Sequence, residues 1–317
     1  MRVDPQRPWN LIFCGSAPFA IPALEALLES GDDVRLVVAS PPAKAGRGRA
    51  LASVPVAARA REKGLPLLET ATPNAPESVA TLAATRPDLV VVCALGSFLG
   101  PGLLALGKFP PVNLHPSLLP RHRGPAPINW AIIEGDAATG VTVIALIKEM
   151  DAGPILGQRK FPLDPTVTAP RLEKAMAAEG AALLLETIAA MKRNEIVPRP
   201  QDGRLATIDR LLVKKDGHLD FREPAEKLAR LINGLEPWPG AAALLNGRLV
   251  QFFEATAQEG PSAPGAVHGL NEAGSLLIGA GDGTVAVAFL RPEGKKRLSA
   301  AEFLRGYRPS SFASLAL

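Results

Sequence analysis

The sequence has few of the residues on which disulfide-rich, metal-binding and membrane proteins depend. Only two cysteines occur in 317 residues, and both Cys14 and Cys93 stand in apolar runs typical of buried strands. Two such thiols support neither a disulfide framework nor a zinc site, so we expect a reducing, cytoplasmic location and no bound metal. Gly, Pro or charge breaks the apolar runs before membrane-spanning length, and the residues after Met1 lack the apolar stretch of a signal peptide. We therefore expect a chain that is neither membrane-embedded nor exported.

A nicotinamide-binding fingerprint is also missing. The turn from Gly15 to Ala20 reads G-S-A-P-F-A, not G-x-G-x-x-G, and no acidic residue ends the second apolar run. That fingerprint lets a pyrophosphate approach the backbone closely, and the acidic residue binds the ribose. We therefore expect no nicotinamide cofactor.

The pattern that is present is typical of a two-domain α/β protein. From residue 10 to about 195, short apolar runs alternate with helical stretches, which predicts a Rossmann-like parallel sheet covered by helices. The predicted strands are Leu11 to Cys14, Val34 to Ala39, Asp88 to Ala94, Val112 to His115 and Val141 to Ile147. The predicted helices are Ile21 to Ser30, Pro101 to Leu106, Ala126 to Glu134 and Thr168 to Arg193.

The C-terminal third has a different pattern. A segment rich in Pro, Arg and Asp, residues 194–209, is typical of a linker, so we expect a catalytic domain over residues 1–205 and a second domain over residues 210–317. After a helix at Glu223 to Asn233, short β-like runs follow, and the dipeptides Asn246-Gly247 and Asp282-Gly283 are hairpin-turn signals. This pattern predicts a small β-barrel, such as an OB-like one, or a compact β-domain.

The chain is mildly basic, with a net charge of +4, which permits an anionic partner such as RNA but is common among other enzymes. The cations are concentrated in two places. One set faces only Glu62 within its own stretch of sequence and consists of Arg35, Lys44, Arg47, Arg49, Arg59, Arg61 and Lys63. The other is Arg121, His122 and Arg123.

Candidate chemistry lies at the end of the predicted strand Val112 to His115. Strand side chains alternate, so Asn113 and His115 project to one face, at the carboxyl end where parallel sheets place active sites. The polar loop after the next strand contains Asp151, which could reach His115. An amide donor, a neutral imidazole and a carboxylate suit acyl transfer to an amine. A hydrogen-bonded structural histidine with Asp151 capping a turn is the alternative.

The motifs around these residues resemble the formyltetrahydrofolate-dependent formyltransferases. The chain carries the Asn-x-His of that family at Asn113 and His115, its Ser-Leu-Leu-Pro at 117–120, its Arg-x-Arg-Gly-x-x-Pro at 121–127 and its Asp-x-Gly at 151–153. The resemblance extends from about residue 10 to residue 308. It departs at Pro42, where the family usually has aspartate, and it implies that Asn113, His115 and Asp151 are catalytic.

The resemblance also implies a formyl donor, 10-formyltetrahydrofolate, and residues that bind it. These are Ser117, Leu118, Leu119 and Pro120 beside the folate, and Ile144, Ala145, Leu146 and Ile147 along the pterin pocket.

Within the family, a basic G-R-G loop at 46–48 and a basic C-terminal domain favour the branch that formylates methionine on initiator tRNA. The residues implied in tRNA binding are Lys44, Arg47, Arg49, Arg121, Lys214, Lys215, Lys295 and Lys296. We expect a monomer. The alternatives are formylation of a UDP-linked amino sugar or of glycinamide ribonucleotide, hydrolysis that releases formate, and a non-catalytic RNA-binding protein of the same shape. The chain length argues against the second of these acceptors, because the purine-pathway enzymes lack a C-terminal domain.

Overall fold

The computed structural model describes residues 7–45 and 50–315, which form two compact units. The first unit consists of the described parts of Met1–Pro125, Gly140–Phe161 and Glu173–Asp209. The second consists of the described parts of Ala126–Thr139, Pro162–Leu172 and Arg210–Leu317. None of the helices in these described residues is long and apolar enough to cross a membrane.

The first unit is built on a seven-stranded sheet with helices along its sequence. Its strands, with the short pair β3 and β4, are β1 Asn10–Gly15, β2 Asp33–Ala39, β3 Ala43–Ala45, β4 Ala50–Ala52, β5 Leu67–Glu69, β6 Leu89–Cys93, β7 Val112–His115, β8 Ala138–Ala145 and β9 Ile155–Pro162. The helices of the first unit are α1 Ile21–Glu29, α2 Pro55–Glu62, α3 Pro76–Ala84 and α4 Pro101–Leu104. Helix α5 Pro127–Glu134 belongs to the second unit, and α6 Ala169–Lys192 begins in the second unit and continues in the first.

The sheet has the strand order β5-β2-β1-β6-β7-β8-β9. The five strands from β5 to β7 pair in parallel, as the alternating pattern predicted. Their side chains form a core in which residues of β1, β2 and β6, such as Ile12, Val38 and Val90, pack against Leu82 and Leu103. Since a parallel strand at the centre of such a sheet is covered on both faces, β6 is buried along its whole length. Strand β7, which carries the candidate catalytic residues, pairs with β6 at Val112 and Asn113 and so adjoins this core.

The direction of β8 corrects the prediction of a wholly parallel sheet. We expected a strand at Val141 to Ile147, whereas β8 ends at Ala145 and runs antiparallel to β7, with His115 opposite Thr142. Six of its eight residues are buried. A strand covered on both faces shows a continuous apolar run in either direction, so its sequence does not reveal which way it runs.

The second unit contains an antiparallel sheet. Its elements after residue 210 are helix α7 Ala225–Gly234, strands β10 Ala242–Leu245, β11 Arg248–Gln258, β12 Val267–Leu270, β13 Leu276–Gly279, β14 Thr284–Pro292 and β15 Leu298–Ser299, and helix α8 Ala300–Tyr307. The strands follow the order β10-β11-β14-β13-β12, with β15 paired to β14. Asn246 and Gly247 join β10 to β11 with φ angles of 50° and 76°, as the predicted hairpin turn requires.

We predicted a small β-barrel, but the described residues form a six-stranded antiparallel sheet that does not close into a barrel, because its strand path ends at β10 on one side and at β12 on the other. Isolated bridges connect Leu244 of β10 to Ala313, and Ala266 beside β12 to Ser311. The C-terminal segment therefore pairs with residues at both ends of the path. Phe312 of this segment is buried against Phe221 and Phe252.

Candidate active site

Asn113 and His115 of β7 both approach the carboxylate of Asp151. The Asn113 amide Nδ2 lies 3.5 Å from Oδ1 of Asp151, and His115 Nδ1 lies 3.7 Å from Oδ2. The His115 side chain is almost fully buried and that of Asp151 is 14% exposed, so the carboxylate is partly accessible. The structure thus brings together the three residues that we proposed from the sequence.

Four features hold Asp151 in this position. Its φ of 49° lies in the left-handed region, which places the residue at a sharp turn. The Gly124 backbone N–H donates to its Oδ2 at 2.9 Å, and Gln201 Nε2 donates to its carbonyl oxygen at 2.7 Å. Gly153 lies so close to the Ala145 carbonyl that any Cβ would be 1.8 Å from that oxygen. The loop after β8 is therefore packed tightly at the point where it delivers the carboxylate.

The hydrogen bond to His115 Nε2 defines which ring nitrogen can act as a base. Nε2 lies 2.8 Å from the carbonyl oxygen of His122. A carbonyl oxygen can only accept, so this contact requires a proton on Nε2. In the neutral ring the lone pair then belongs to Nδ1, which faces Asp151. We had expected the carboxylate to orient the imidazole or a bridging water, but the short hydrogen bond of the ring is the one that His115 Nε2 donates to the His122 carbonyl.

A purely structural role for His115 accounts for only one of the two contacts of its ring. It explains the bond at Nε2, but it leaves a buried proton acceptor, Nδ1, facing a carboxylate that Gly124 holds in place. An imidazolium formed at that position would be stabilised by the carboxylate at once. The geometry therefore favours proton transfer at Nδ1.

The segment 117–120 is held by a network of polar contacts below the site. Thr142 Oγ1 donates to the Ser117 carbonyl at 2.6 Å, and Gln158 Nε2 donates to the Leu119 carbonyl at 2.9 Å. Ser117 itself is fully buried, and its hydroxyl donates to the Arg121 carbonyl at 2.8 Å. These contacts fix the backbone at the position where we expected the folate to bind.

The residues expected to line the folate site differ in accessibility. Leu119 and Ile144 are buried and pack together with Ile155. Ile147 is 40% exposed. The partly buried members are Leu118, Pro120, Ala145 and Leu146. Ser117, Leu119 and Ile144 are thus buried beneath the site, and Leu118, Pro120, Ala145, Leu146 and Ile147 remain accessible to a bound molecule.

The structure describes only some of the residues that we expected to bind tRNA. The side chain of Lys44 and the residues Arg47 and Arg49 lie outside the described part of the structure. Arg121 is partly buried in the first unit. In the second unit four lysines are exposed, in the turn that follows residue 213 and in the connection between β14 and β15, namely Lys214, Lys215, Lys295 and Lys296.

Two described cations of the first set, Arg59 and Arg61, are paired with carboxylates in the structure. Arg59 binds Glu62 and also Glu25, and Arg61 binds Glu69. Hydrogen bonds to Glu62 and Glu25 raise the pKa of Arg59 above its ordinary value. Glu25 and Glu69 lie outside the stretch in which we counted charges, and folding brings them to the arginines. Exposed ion pairs of this kind leave little net charge for a nucleic acid.

The second set of cations, Arg121 to Arg123, is part of the site's framework. His122 is 3% exposed, and Arg123 donates two hydrogen bonds to Gln201 Oε1, at 3.1 and 2.8 Å. His122 Nδ1 lies 3.1 Å from both carboxylate oxygens of Asp209. Sequence reasoning missed this buried pair. The scarcity of histidine could have singled out His122, but nothing local in the sequence associates it with Asp209.

Within residues 7–45 and 50–315, no group of three or more His, Cys, Asp or Glu side chains is arranged to hold a metal ion. The groups that meet at Asp151 are an amide donor, an imidazole and a carboxylate.

The chain is similar to known proteins over nearly its whole length. A family model described as formyl transferase matches residues 10–188, and one described as formyl transferase, C-terminal domain, matches residues 211–308. A methionyl-tRNA formyltransferase of Roseiflexus castenholzii is 40% identical over 303 residues, covering 94% of this chain and 96% of that protein. One of Citrifermentans bemidjiense is 37% identical over 299 residues, covering 94% of each chain.

Among solved structures, HypX from Aquifex aeolicus in complex with tetrahydrofolic acid has a similar fold. The TM-score is 0.67 at 19% sequence identity, over 95% of this chain and 48% of that one. This chain thus spans about half the length of HypX, and the likeness concerns the fold alone.

Proposed function

Because the chain belongs to the formyl transferase family, we propose that it transfers the formyl group of 10-formyltetrahydrofolate to the α-amino group of methionine on initiator tRNA. The product is N-formylmethionyl-tRNA, which serves translation initiation. The observation that carries the proposal is the approach of Asn113 and His115 to one carboxylate, that of Asp151. The two named bacterial relatives, which match over nearly their whole length, support methionyl-tRNA as the acceptor.

Asn113 supplies the donor for the developing negative charge. Its Nδ2 carries two hydrogens, and the Asp151 contact at 3.5 Å engages one of them. The other is available to the formyl oxygen. When the amine attacks, that oxygen gains charge, and a fixed amide N–H stabilises it more strongly than it stabilises the starting carbonyl. Removing one such donor costs about 10²–10³ in kcat.

His115 takes the proton that the attacking amine must lose. A free α-amine has a pKa of about 7.7–8.0, so part of the substrate is already neutral near physiological pH. A new bond joins the amine nitrogen to the formyl carbon, the bond from that carbon to the folate nitrogen breaks, and the amine proton passes to His115 Nδ1. The same proton then returns to the leaving nitrogen, so the enzyme ends unchanged. Asp151 stabilises the imidazolium between the two transfers.

The partly accessible residues around the trio fit a folate. Leu118, Pro120 and Leu146 offer an apolar wall, and the exposed Ile147 borders the loop that carries Asp151. A mostly apolar wall with a few polar groups is the usual environment of a bound small molecule. We propose that Ser117 to Pro120 and Ile144 to Ile147 hold the donor, with Ser117, Leu119 and Ile144 acting through the backbone and core packing.

The remaining assignments concern the tRNA and the state of the protein. We propose that residues 1–205 carry catalysis and residues 210–317 bind tRNA, through Lys214, Lys215, Lys295 and Lys296. Lys44, Arg47, Arg49 and Arg121 are proposed to bind tRNA from the catalytic part. The protein is proposed to be a cytoplasmic monomer.

The decisive experiment measures transfer of radiolabelled formyl from 10-formyltetrahydrofolate to Met-tRNA. Uncharged tRNA and a UDP-linked amino sugar are tested alongside. Label on Met-tRNA alone supports the proposal. Label on the sugar alone, or release of formate without a formylated acceptor, contradicts it.

Two variants test the assigned roles. Asn113→Ala and His115→Ala are expected to lower kcat by about 10²–10⁴ while the protein remains folded by circular dichroism. Turnover near the wild-type rate in either folded variant contradicts the mechanism.

A further inference from the structure

The backbone of His122 makes the hydrogen bond that orients His115, and it does so from an unusual conformation. Its φ of 60° lies in the left-handed region. Residues other than Gly, Asn, Asp and His seldom adopt this conformation. In this conformation its N–H donates to Thr207 Oγ1 at 2.8 Å, and its carbonyl oxygen accepts from His115 Nε2 at the same distance. The position of one carbonyl oxygen therefore depends on what holds His122 in place.

The side chain of His122 is held by Asp209. Nδ1 lies 3.1 Å from both carboxylate oxygens, and the two side chains are 4% and 8% exposed. Because a carboxylate only accepts, His122 carries its proton on Nδ1. This is the opposite ring nitrogen from the one protonated in His115. A hydrogen bond to a buried carboxylate is strong, since little water competes for it.

The backbone of Arg123, next to His122, is hydrogen-bonded to residues 207–209. Arg123 N–H donates to the Thr207 carbonyl at 2.9 Å, and Asp209 N–H donates to the Arg123 carbonyl at 2.7 Å. Together with the side-chain bonds, residues 207–209 hold both the backbone and the ring of the segment that contains the orienting carbonyl.

The carboxylate of Asp151 and the carbonyl of His122 favour different tautomers of His115. Asp151 faces Nδ1 and would be best satisfied by a proton there, but its Oδ2 lies at 3.7 Å, beyond hydrogen-bond distance. The His122 carbonyl at 2.8 Å favours the proton on Nε2. Only the second tautomer leaves a lone pair on Nδ1 to accept a proton from an amine. The balance between the two tautomers of His115 depends on the short distance between its Nε2 and the His122 carbonyl oxygen.

We propose that His122 and Asp209 are positioning residues, which hold the His122 carbonyl so that His115 keeps its proton on Nε2 and its lone pair on Nδ1. Neither residue contacts the reacting atoms in this proposal, and both act through the ring of His115. The kinetic part of the proposal rests on the proposed function, whereas the tautomer of His115 can be measured without it.

The tautomer is tested by ¹⁵N NMR on protein labelled at histidine. The chain has only four histidines, so the ring signals can be assigned with single substitutions. The spectra are recorded at about pH 8.5, some two units above the ordinary imidazole pKa. Wild-type His115 is expected to be protonated at Nε2 and His122 at Nδ1. In Asp209→Ala, the His115 population is expected to move toward Nδ1 protonation.

The kinetic test uses the same variant. Asp209→Ala is expected to lower kcat about 10- to 100-fold, as for other losses of a group that orients a reacting one, with KM for both substrates within about twofold of wild type. Asp209→Asn keeps an acceptor oxygen for His122 and should restore most of the rate. The matched control is Asp202→Ala, in the same segment, where the carboxylate binds exposed Arg204 and kcat should be unchanged.

The outcomes separate the two proposals. A wild-type His115 protonated at Nδ1 overturns the positioning proposal even if no variant folds. A folded Asp209→Ala protein with unchanged kcat also overturns it. A folded Asp209→Ala protein with lowered kcat but an unchanged His115 signal overturns it as well, because the loss of rate then has a cause other than the tautomer of His115. Asp209→Asn as slow as Asp209→Ala also overturns it. Wild-type protein that shows the expected tautomers but does not formylate Met-tRNA instead contradicts the proposed function.

Discussion

The backbone N–H of Gly124 donates to Oδ2 of Asp151 at 2.9 Å. The same glycine has a φ of 111°, and a Cβ on it would lie 2.5 Å from the carbonyl oxygen of Asp209. One residue without a side chain thus holds the carboxylate of Asp151 and fits against the backbone of Asp209.

Replacing this glycine should affect stability and activity together. Gly124→Ala introduces a backbone strain and a clash with main-chain atoms that cannot rotate away, so we expect a loss of about 2–4 kcal/mol in the free energy of unfolding. The displaced N–H should also lower kcat at least tenfold. Urea unfolding and formyl-transfer rates test this. Gly203→Ala is the control, because no heavy atom lies within 4 Å of a Cβ there. Equal effects of the two substitutions would contradict the role given to Gly124.

The exposed lysines of the second unit should contribute to tRNA affinity. The double variant Lys295→Glu and Lys296→Glu is expected to raise KM for Met-tRNA several-fold with little change in kcat, because phosphate contacts fix position and not chemistry. The dependence of log affinity on log salt should become shallower by about 1.5. Filter binding at several salt concentrations measures both.

A charge-matched control distinguishes local contacts from net charge. Lys160→Glu with Lys174→Glu makes the same change in total charge at exposed positions of the first unit. If this control weakens tRNA binding equally, Lys295 and Lys296 make no specific contact.

Asp88 should make the free energy of unfolding depend on pH in the acid range. Burial raises its pKa, but hydrogen bonds from Arg7, Lys108 and the Asn10 N–H outweigh that effect and lower it to about 2. A carboxylate whose folded pKa is below its unfolded value of 3.8 contributes stability above that value. The contribution is lost as pH falls through about 2.

The measurement compares wild type with Asp88→Asn in urea at pH 7, 4 and 2.5. We expect the variant to be less stable by about 2 kcal/mol at pH 7 and the difference to shrink toward pH 2.5. A difference that stays constant across this range contradicts the assignment.

The two thiols should be inert in the folded protein. Burial raises the pKa of Cys14 to about 12, and it raises that of Cys93 as well. Since the thiolate is the reactive form, a thiol-reactive dye at pH 8 should label neither residue in native protein and both in guanidinium chloride. Rapid labelling of native protein would show that this part of the sheet opens readily.

Periodicity predicted much of the fold because it depends on local burial. The strand Val112–His115 was predicted with its observed ends, and the helix predicted at Thr168 to Arg193 is found at Ala169–Lys192. Helices α2 and α3, both short and rich in alanine, were missed. The direction of a strand could not be predicted from its sequence, as the antiparallel pairing of β8 shows.

The site was predictable where it follows a motif and unpredictable where it depends on distant pairs. Asn113, His115 and Asp151 lie in segments with recognisable patterns. The partners of His122 and Arg59 come from residues far along the chain, Asp209 and Glu25, so their sequence neighbourhoods indicated exposed cations. Charge counted in a sequence window overestimates the charge of a surface when folding supplies the counter-ions.

The division into units has a consequence for attempts to dissect the protein. The chain passes between the two units after Pro125, Thr139, Phe161, Leu172 and Asp209. In the second unit Leu212 and Leu235 are buried against Ala126, with Trp130 and Ile133 of α5 packed beside them. No single proteolytic cut can release that unit whole. A fragment that begins at Arg210 would expose these leucines to water, and we expect it to aggregate unless residues 126–139 are supplied as a complementing peptide.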